Sequence, residues 1–273
     1  MIRDTLLAVI LASVSLPVGG FAEAAPEYNV ISADILPGWQ TGSGQHMVAL
    51  RLHLAPHWKT YWRAPGDAGI PPVFNWAGSQ NLGTVKIHWP RPEVFETNGM
   101  RSIGYYDELV LPIEVTANVA GQPVMLSANV DLGVCRDICM PASLSVSADL
   151  PSAGANLIPD AVIMAALKSQ PTKGTDAGMT AISCQIDPIS DGLRVTAKIS
   201  LPAISTAETV VLESGQDGVW VSEATSARDG DQLVATVDMV AGSGAPFALD
   251  RSGVTVTVLG TDSAVEIHGC PAA

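Results

Sequence analysis

Chemically reactive side chains are scarce in this chain, with four cysteines, five histidines and 5% aromatic residues in 273 positions. There is no GxSxG elbow and no Gly-rich phosphate loop, which removes the commonest serine-hydrolase and nucleotide-binding chemistries. His46, His53, His57, His88 and His268 are scattered without metal-ligand spacing, which argues against zinc catalysis. No metal, other cofactor or small-molecule substrate is expected. Positive charge is also short: 14 Lys and Arg stand against 27 Asp and Glu, a formal net charge of −13. Nucleic acid and anionic lipid would find no basic patch to neutralise. After residue 24, no apolar run approaches the roughly 18 residues needed to cross a bilayer.

Glycine and proline are plentiful, 25 and 19 of them, so many turns separate short elements, a composition that favours an all-β protein. At the start, Arg3 precedes an apolar run over 6–18, and Ala22-Glu23-Ala24 supplies the small residues of a cleavage site. Residues 1–24 therefore read as a secretory signal peptide, with an uncleaved anchor as the alternative. Cleavage would leave 13 basic and 25 acidic residues in an exported, periplasmic protein. An oxidising compartment permits disulfides.

Apolar and polar residues alternate over 28–35, 46–54, 85–89, 109–116, 124–132 and 144–150, with period two as in half-buried strands. Residues 65–72 can only be loop, and a Gly-containing loop is expected between Phe95 and Tyr105. Residues 25–150 thus form one immunoglobulin-like β-sandwich. Residues 151–180 break the pattern and read as a linker containing a short helix over 161–170, with Pro159 at its first position. Alternation returns over 181–186, 193–201, 209–213, 219–223, 233–240, 254–259 and 264–268, giving a second sandwich over 181–273.

Cys184 lies in the first strand of that second sandwich and Cys270 just beyond its last, so the pair reads as a structural disulfide. Cys135 and Cys139 stand in Val130-Asp131-Leu132-Gly133-Val134-Cys135-Arg136-Asp137-Ile138-Cys139-Met140-Pro141. In one extended strand their Cα atoms would lie roughly 13 Å apart. A disulfide allows less than about 7 Å, so they can bond only across a helical turn or tight loop. Three readings compete: a static clamp, a redox-active dithiol, and a soft-metal site for Cu(I) with Met140 or a histidine as third ligand. Trp58, Tyr61 and Trp62 read as sandwich core.

Three segments in order, HWKTYWRAPGDAGIPP (57–72), SIGYYDELVLP (102–112) and VDLGVCRDICMPA (130–142), resemble the periplasmic N-terminal domain of the DsbD and, more closely, ScsB transmembrane disulfide reductases. The resemblance implies that Cys135 and Cys139 are the catalytic couple of a thiol–disulfide oxidoreductase that exchanges electrons with thioredoxin-like periplasmic proteins. It also implies a cap over the sulfurs, for which Phe95, or Tyr105 and Tyr106, are the candidates. The family's reductases continue into a membrane domain and a thioredoxin domain that are absent here, so a separate multi-span membrane protein is the expected electron donor. The rivals are a periplasmic copper-binding or copper-tolerance protein, and a structural interaction module with two static disulfides.

Exported protein should begin at or near Ala25. Intact mass of periplasmic material checks this, and a mass retaining residues 1–24 would replace a cleaved leader with an anchor.

Overall fold

The computed structural model describes residues 30–41, 45–97, 99–152 and 157–272; the expected leader lies outside them. The first sandwich is built from β1 (Ile31–Gln40), β2 (His46–Leu54), β3 (Lys59–Tyr61), β4 (Val73–Asn75), β5 (Leu82–Ile87), β6 (Glu93–Thr97), β7 (Met100–Tyr106), β8 (Glu108–Ala117), β9 (Val124–Cys135) and β10 (Cys139–Leu150). One sheet runs β1-β2-β8-β5, and the other runs β10-β9-β3-β7-β6 with β4 also on β9. Val48, Leu50, Leu52 and Leu54 of β2 meet Leu126, Ala128, Val130, Leu132 and Val134 of β9 in one buried cluster. Period-two alternation on both strands aims these side chains between the sheets.

Three parts of this sandwich differ from the sequence reading. The segment between Phe95 and Tyr105 is a β-hairpin, β6 paired with β7, rather than a loop. Its glycines serve the pairing: Gly99 turns at φ 77, and a Cβ on Gly104 would stand 2.0 Å from the Thr60 carbonyl oxygen where β7 crosses β3. The aromatic run after His57 holds the short strand β3, paired with both β7 and β9. The third difference is β4, which pairs with β9 through Val73↔Asp131.

The segment after β10 is not a free linker. Helix α1 (Ala161–Lys168) starts at Asp160, whose carboxylate accepts from the amides of Val162 at 2.8 Å and Ile163 at 3.0 Å. Pro159 therefore precedes the cap, because a capping side chain satisfies amides that proline leaves open. Ile163 is fully buried against Met47 and Ala49, on the face of β2 turned away from the main core. Beyond the helix, β11 (Thr172–Lys173) pairs in parallel with β19 (Ala264–His268) of the second sandwich.

That sandwich comprises β11, β12 (Ala181–Pro188), β13 (Leu193–Ser200), β14 (Thr209–Glu213), β15 (Val219–Val221), β16 (Thr225–Asp229), β17 (Gln232–Ala241), β18 (Thr255–Leu259) and β19 (Ala264–His268). Its sheets run β11-β19-β18-β14 and β12-β13-β17-β15, with β16 also on β17. Cys184 of β12 is bonded to Cys270, just after β19, and both are 1% exposed. The bond joins the two sheets beside the bridge between Cys184 and Ala272.

The two sandwiches are in contact. Leu259 and Ala264 are buried in the same cluster as the first core. Arg63 lies over the Trp62 ring at 4.4 Å and donates to Glu213 at 2.9 Å and Glu266 at 2.6 Å. Arg91 donates to the Thr261 carbonyl at 2.9 Å.

Ile163→Ala should destabilise the first sandwich by about 2–5 kcal/mol, the range for emptying a buried aliphatic site. Five of the six tryptophans, Trp39, Trp58, Trp62, Trp76 and Trp89, precede the helix, so fluorescence-detected denaturation reports that unit. An unchanged midpoint would return the helix to the role of a spacer.

Candidate functional site

Strands β9 and β10 form a hairpin whose last facing pair is Cys135↔Cys139. Arg136, Asp137 and Ile138 make the turn, closed by the Arg136 amide donating to the Ile138 carbonyl at 3.2 Å. The cysteines are bonded, with Cα atoms 4.2 Å apart. Cys135 is 1% exposed, whereas Cys139 faces solvent beside Ile138, which is 63% exposed. Pro141 lies inside β10, at the edge of its sheet, where a missing amide removes no internal ladder bond.

Strand β3 determines what surrounds the sulfurs. Its alternation sends Thr60 and Trp62 toward the core and Lys59 and Tyr61 to the opposite face. On that face, register aligns Tyr106, Lys59, Cys135 and Cys139 in one row across four strands. Thr60 holds β3 against β9 by donating to the Gly133 carbonyl at 3.0 Å.

The Tyr61 hydroxyl lies 2.7 Å from Cys135 Sγ and 3.3 Å from Cys139 Sγ. A disulfide sulfur carries no proton, so the phenol is the donor. Burial raises its pKa above the ordinary tyrosine value, which keeps that proton in place at neutral pH. Gly133 makes room for this ring: a Cβ there would stand 2.7 Å from Ile70 Cβ and 3.0 Å from Tyr61 Cε2. Ile70 belongs to the 65–72 loop, which folds tightly enough that a Cβ on Gly69 would lie 2.3 Å from Pro65. A cleft of about 740 Å³ lies between this loop and residues 209–224 and is lined by neither cysteine.

Charge around the hairpin is arranged in two layers. At its tip, Arg136 pairs with Asp137 at 2.9 Å and lies over the Trp58 ring at 5.6 Å. Beneath it, Lys59 is 7% exposed and donates to Ser102 Oγ at 3.0 Å, with its ammonium 4.9 Å from the centre of the Phe95 ring. Burial lowers the Lys59 pKa.

The three candidate cap residues separate. Tyr105 is core: it is 7% exposed and its hydroxyl donates to the Pro90 carbonyl at 2.8 Å. Phe95 and Tyr106 meet with ring centres 4.4 Å apart and planes tilted by 58° on the Lys59 side of the face, while Ile70 and Tyr61 pack over Gly133, beside the sulfurs. Met140, proposed as a copper ligand, pairs with Val134 and packs on the main core, on the opposite face of the hairpin from the sulfurs. Among the described residues, no group of three or more His, Cys, Asp or Glu side chains is arranged to hold a metal ion. Tyr61, read from sequence as core, is the residue in contact with both sulfurs; the alternation of Trp58-Lys59-Thr60-Tyr61-Trp62 is the signal that separates it from the two tryptophans.

A β-sandwich that presents a disulfide at the turn of a hairpin, one sulfur buried against a phenol and the other exposed, has the architecture of a thiol–disulfide interchange domain. Residues 32–151 match the family model of the thiol:disulfide interchange protein DsbD, N-terminal, so the first sandwich is a DsbD-type N-terminal domain. In fold, the chain is similar to the crystal structure of the N-terminal periplasmic domain of ScsB from Proteus mirabilis, with a TM-score of 0.63 and 23% identity over 92% of this chain and 97% of that one. The likeness thus extends through both sandwiches. No curated protein sequence matches the chain.

Tyr61→Phe keeps the ring over Gly133 and removes only the hydroxyl. A hydrogen bond to a charged group is worth about 1.5–3 kcal/mol, so the Cys135 thiolate should form less readily and reduction by added thiol should slow about tenfold. Folding stability should change by less than about 1 kcal/mol. Stopped-flow reduction and urea denaturation measure the two effects, and equal reduction rates would remove Tyr61 from the site.

Proposed function

We propose that this chain is a periplasmic thiol–disulfide exchange protein whose working couple is Cys135 and Cys139, reduced by a separate membrane donor and oxidised by thioredoxin-like partners. The observation that carries this reading is the unequal exposure of the two sulfurs over the Tyr61 hydroxyl. It assigns different steps to the two cysteines.

In the reduced protein, the exposed Cys139 thiolate attacks one sulfur of a partner disulfide. The partner's S–S bond breaks and its other sulfur leaves as a thiolate, giving a mixed disulfide on Cys139. Cys135, which a partner cannot reach, then attacks Cys139 Sγ and expels the partner's remaining sulfur. Two electrons pass to the partner, the protons of the two thiols end on the partner's thiolates through solvent, and the hairpin disulfide is restored. The family match over 32–151 and the periplasmic origin of the ScsB domain of similar fold support the compartment and partner class. Exposed Ile138, Ile70 and Val73 offer an apolar rim on which such a partner could dock.

Cys184–Cys270 is proposed as structural and supplies an internal reference. In a redox titration with mass-spectrometric thiol mapping, Cys135–Cys139 should open first, because the buried bond closing the second sandwich is out of reach. Cys135→Ser should trap a mixed disulfide through Cys139, and Cys139→Ser should trap little. If the two bonds open together and neither variant traps a thioredoxin-like protein, the static-clamp reading replaces this one. Cu(I) binding by the reduced protein in preference to exchange would favour the copper reading.

A further inference from the structure

Among the described residues, Lys59 is the one buried cation of the site face, and the exchange steps above do not use it. Its only described partners are a hydroxyl, Ser102 Oγ at 3.0 Å, and the face of Phe95. Among the described residues, no carboxylate lies within ion-pair distance. That is an unusual place for an ammonium, since burying a charge is costly unless an opposite charge accompanies it. The register shows where a negative charge would arise: Lys59 faces Cys135 directly across β3 and β9. Directly opposed side chains on neighbouring strands have Cβ atoms about 4.5–5.5 Å apart.

Resting on the exchange reaction proposed above, we propose that Lys59 is a positioning residue for the resolving step, the countercharge that stabilises the Cys135 thiolate. With the hairpin oxidised, its charge has no anion. When the bond is reduced, one appears on the neighbouring strand. Tyr61 donates a hydrogen bond to that sulfur and Lys59 supplies the charge. In the mixed disulfide, Cys135 must be a thiolate in a site closed to water, and the buried ammonium lowers the cost of forming one.

Other titratable groups at this face are placed differently. Tyr106 neighbours Lys59 in the row but is 41% exposed. By register, Glu93 and Asp131 share the face; both are exposed, and Asp131 accepts from Ser143 at 2.5 Å. At the tip, Arg136 and Asp137 neutralise one another. Solvent screens these groups far more than it screens Lys59.

The experiment uses the mature chain carrying Cys139→Ser, so that Cys135 is the only free thiol while Cys184–Cys270 stays oxidised. Thiolate ultraviolet absorbance against pH should show the Cys135 pKa raised by about one unit when Lys59→Met is added, and restored by Lys59→Arg. In chains with both hairpin cysteines, reduction potentials of the wild type and Lys59→Met should coincide at pH values where both reduced forms are dithiols. They should separate as pH rises through the two Cys135 pKa values, reaching about tenfold in the equilibrium constant once both variants hold the thiolate. A lysine that merely packs against Phe95 and Ser102 would shift the potential equally at every pH. Lys59→Gln repeats the test should the methionine variant fail to fold. An unchanged Cys135 pKa in the methionine or glutamine variant, or a pH-independent shift in potential, overturns the proposal. Failure of the exchange reading is distinct: the wild-type hairpin would then open no earlier than Cys184–Cys270, whatever Lys59 does to the thiol.

Discussion

The site depends on the period-two alternation of a strand only three residues long. Because β3 is hydrogen-bonded on both edges, to β7 and to β9, its facing cannot slip by one residue without exchanging every side chain between the two faces. Thr60 and Trp62 face the core; Lys59 and Tyr61 are thereby fixed beneath the hairpin. Gly104 and Gly133 extend the same constraint to the flanking strands, one allowing a backbone crossing and the other leaving space for the Tyr61 ring. The phenol and the ammonium are held by sheet registry and not by a loop, which suits groups that must meet a charge that comes and goes.

The second sandwich bears on the site through Arg63, the residue at the head of the loop that carries Ile70. Its guanidinium is shared by two carboxylates and stacked on Trp62, with all three charged side chains about a quarter exposed or less. Half-buried networks of this kind specify geometry more reliably than they add stability. The cleft between the loop and residues 209–224 leaves the rest of the loop's outer side uncovered. The loop is therefore anchored at one end by the neighbouring domain and packed over Tyr61 further along.

Long alternating strands such as β2, β9 and β17 are legible in the sequence because burial on one face imposes a pattern that composition alone displays. β3, β4, β11 and β16 are not, since they take their conformation from neighbours already in the sheet, whereas β14, β15, β18 and β19, though no more than five residues long, keep the alternation. The β6–β7 hairpin is hidden by glycines that signal a loop but serve a turn and a close crossing. The cysteine spacing demands a bend, and alternation is visible only from residue 144; an edge strand tolerates Pro141, so β10 begins at Cys139. Tyr61 escapes a reading by composition because tyrosine between tryptophans resembles core. Only the strand's phase separates them.

The two disulfides also differ in covalent topology. Cys184–Cys270 makes almost the whole second sandwich a macrocycle, so a single peptide-bond cut in any of its surface turns between those residues leaves one covalently connected molecule, with the cut ends held by sheets on either side. Cys135–Cys139 encircles three residues, and opening it releases no segment of the fold from its ladder. One bond protects the chain against scission, while the other can be made and broken without altering how the chain is threaded.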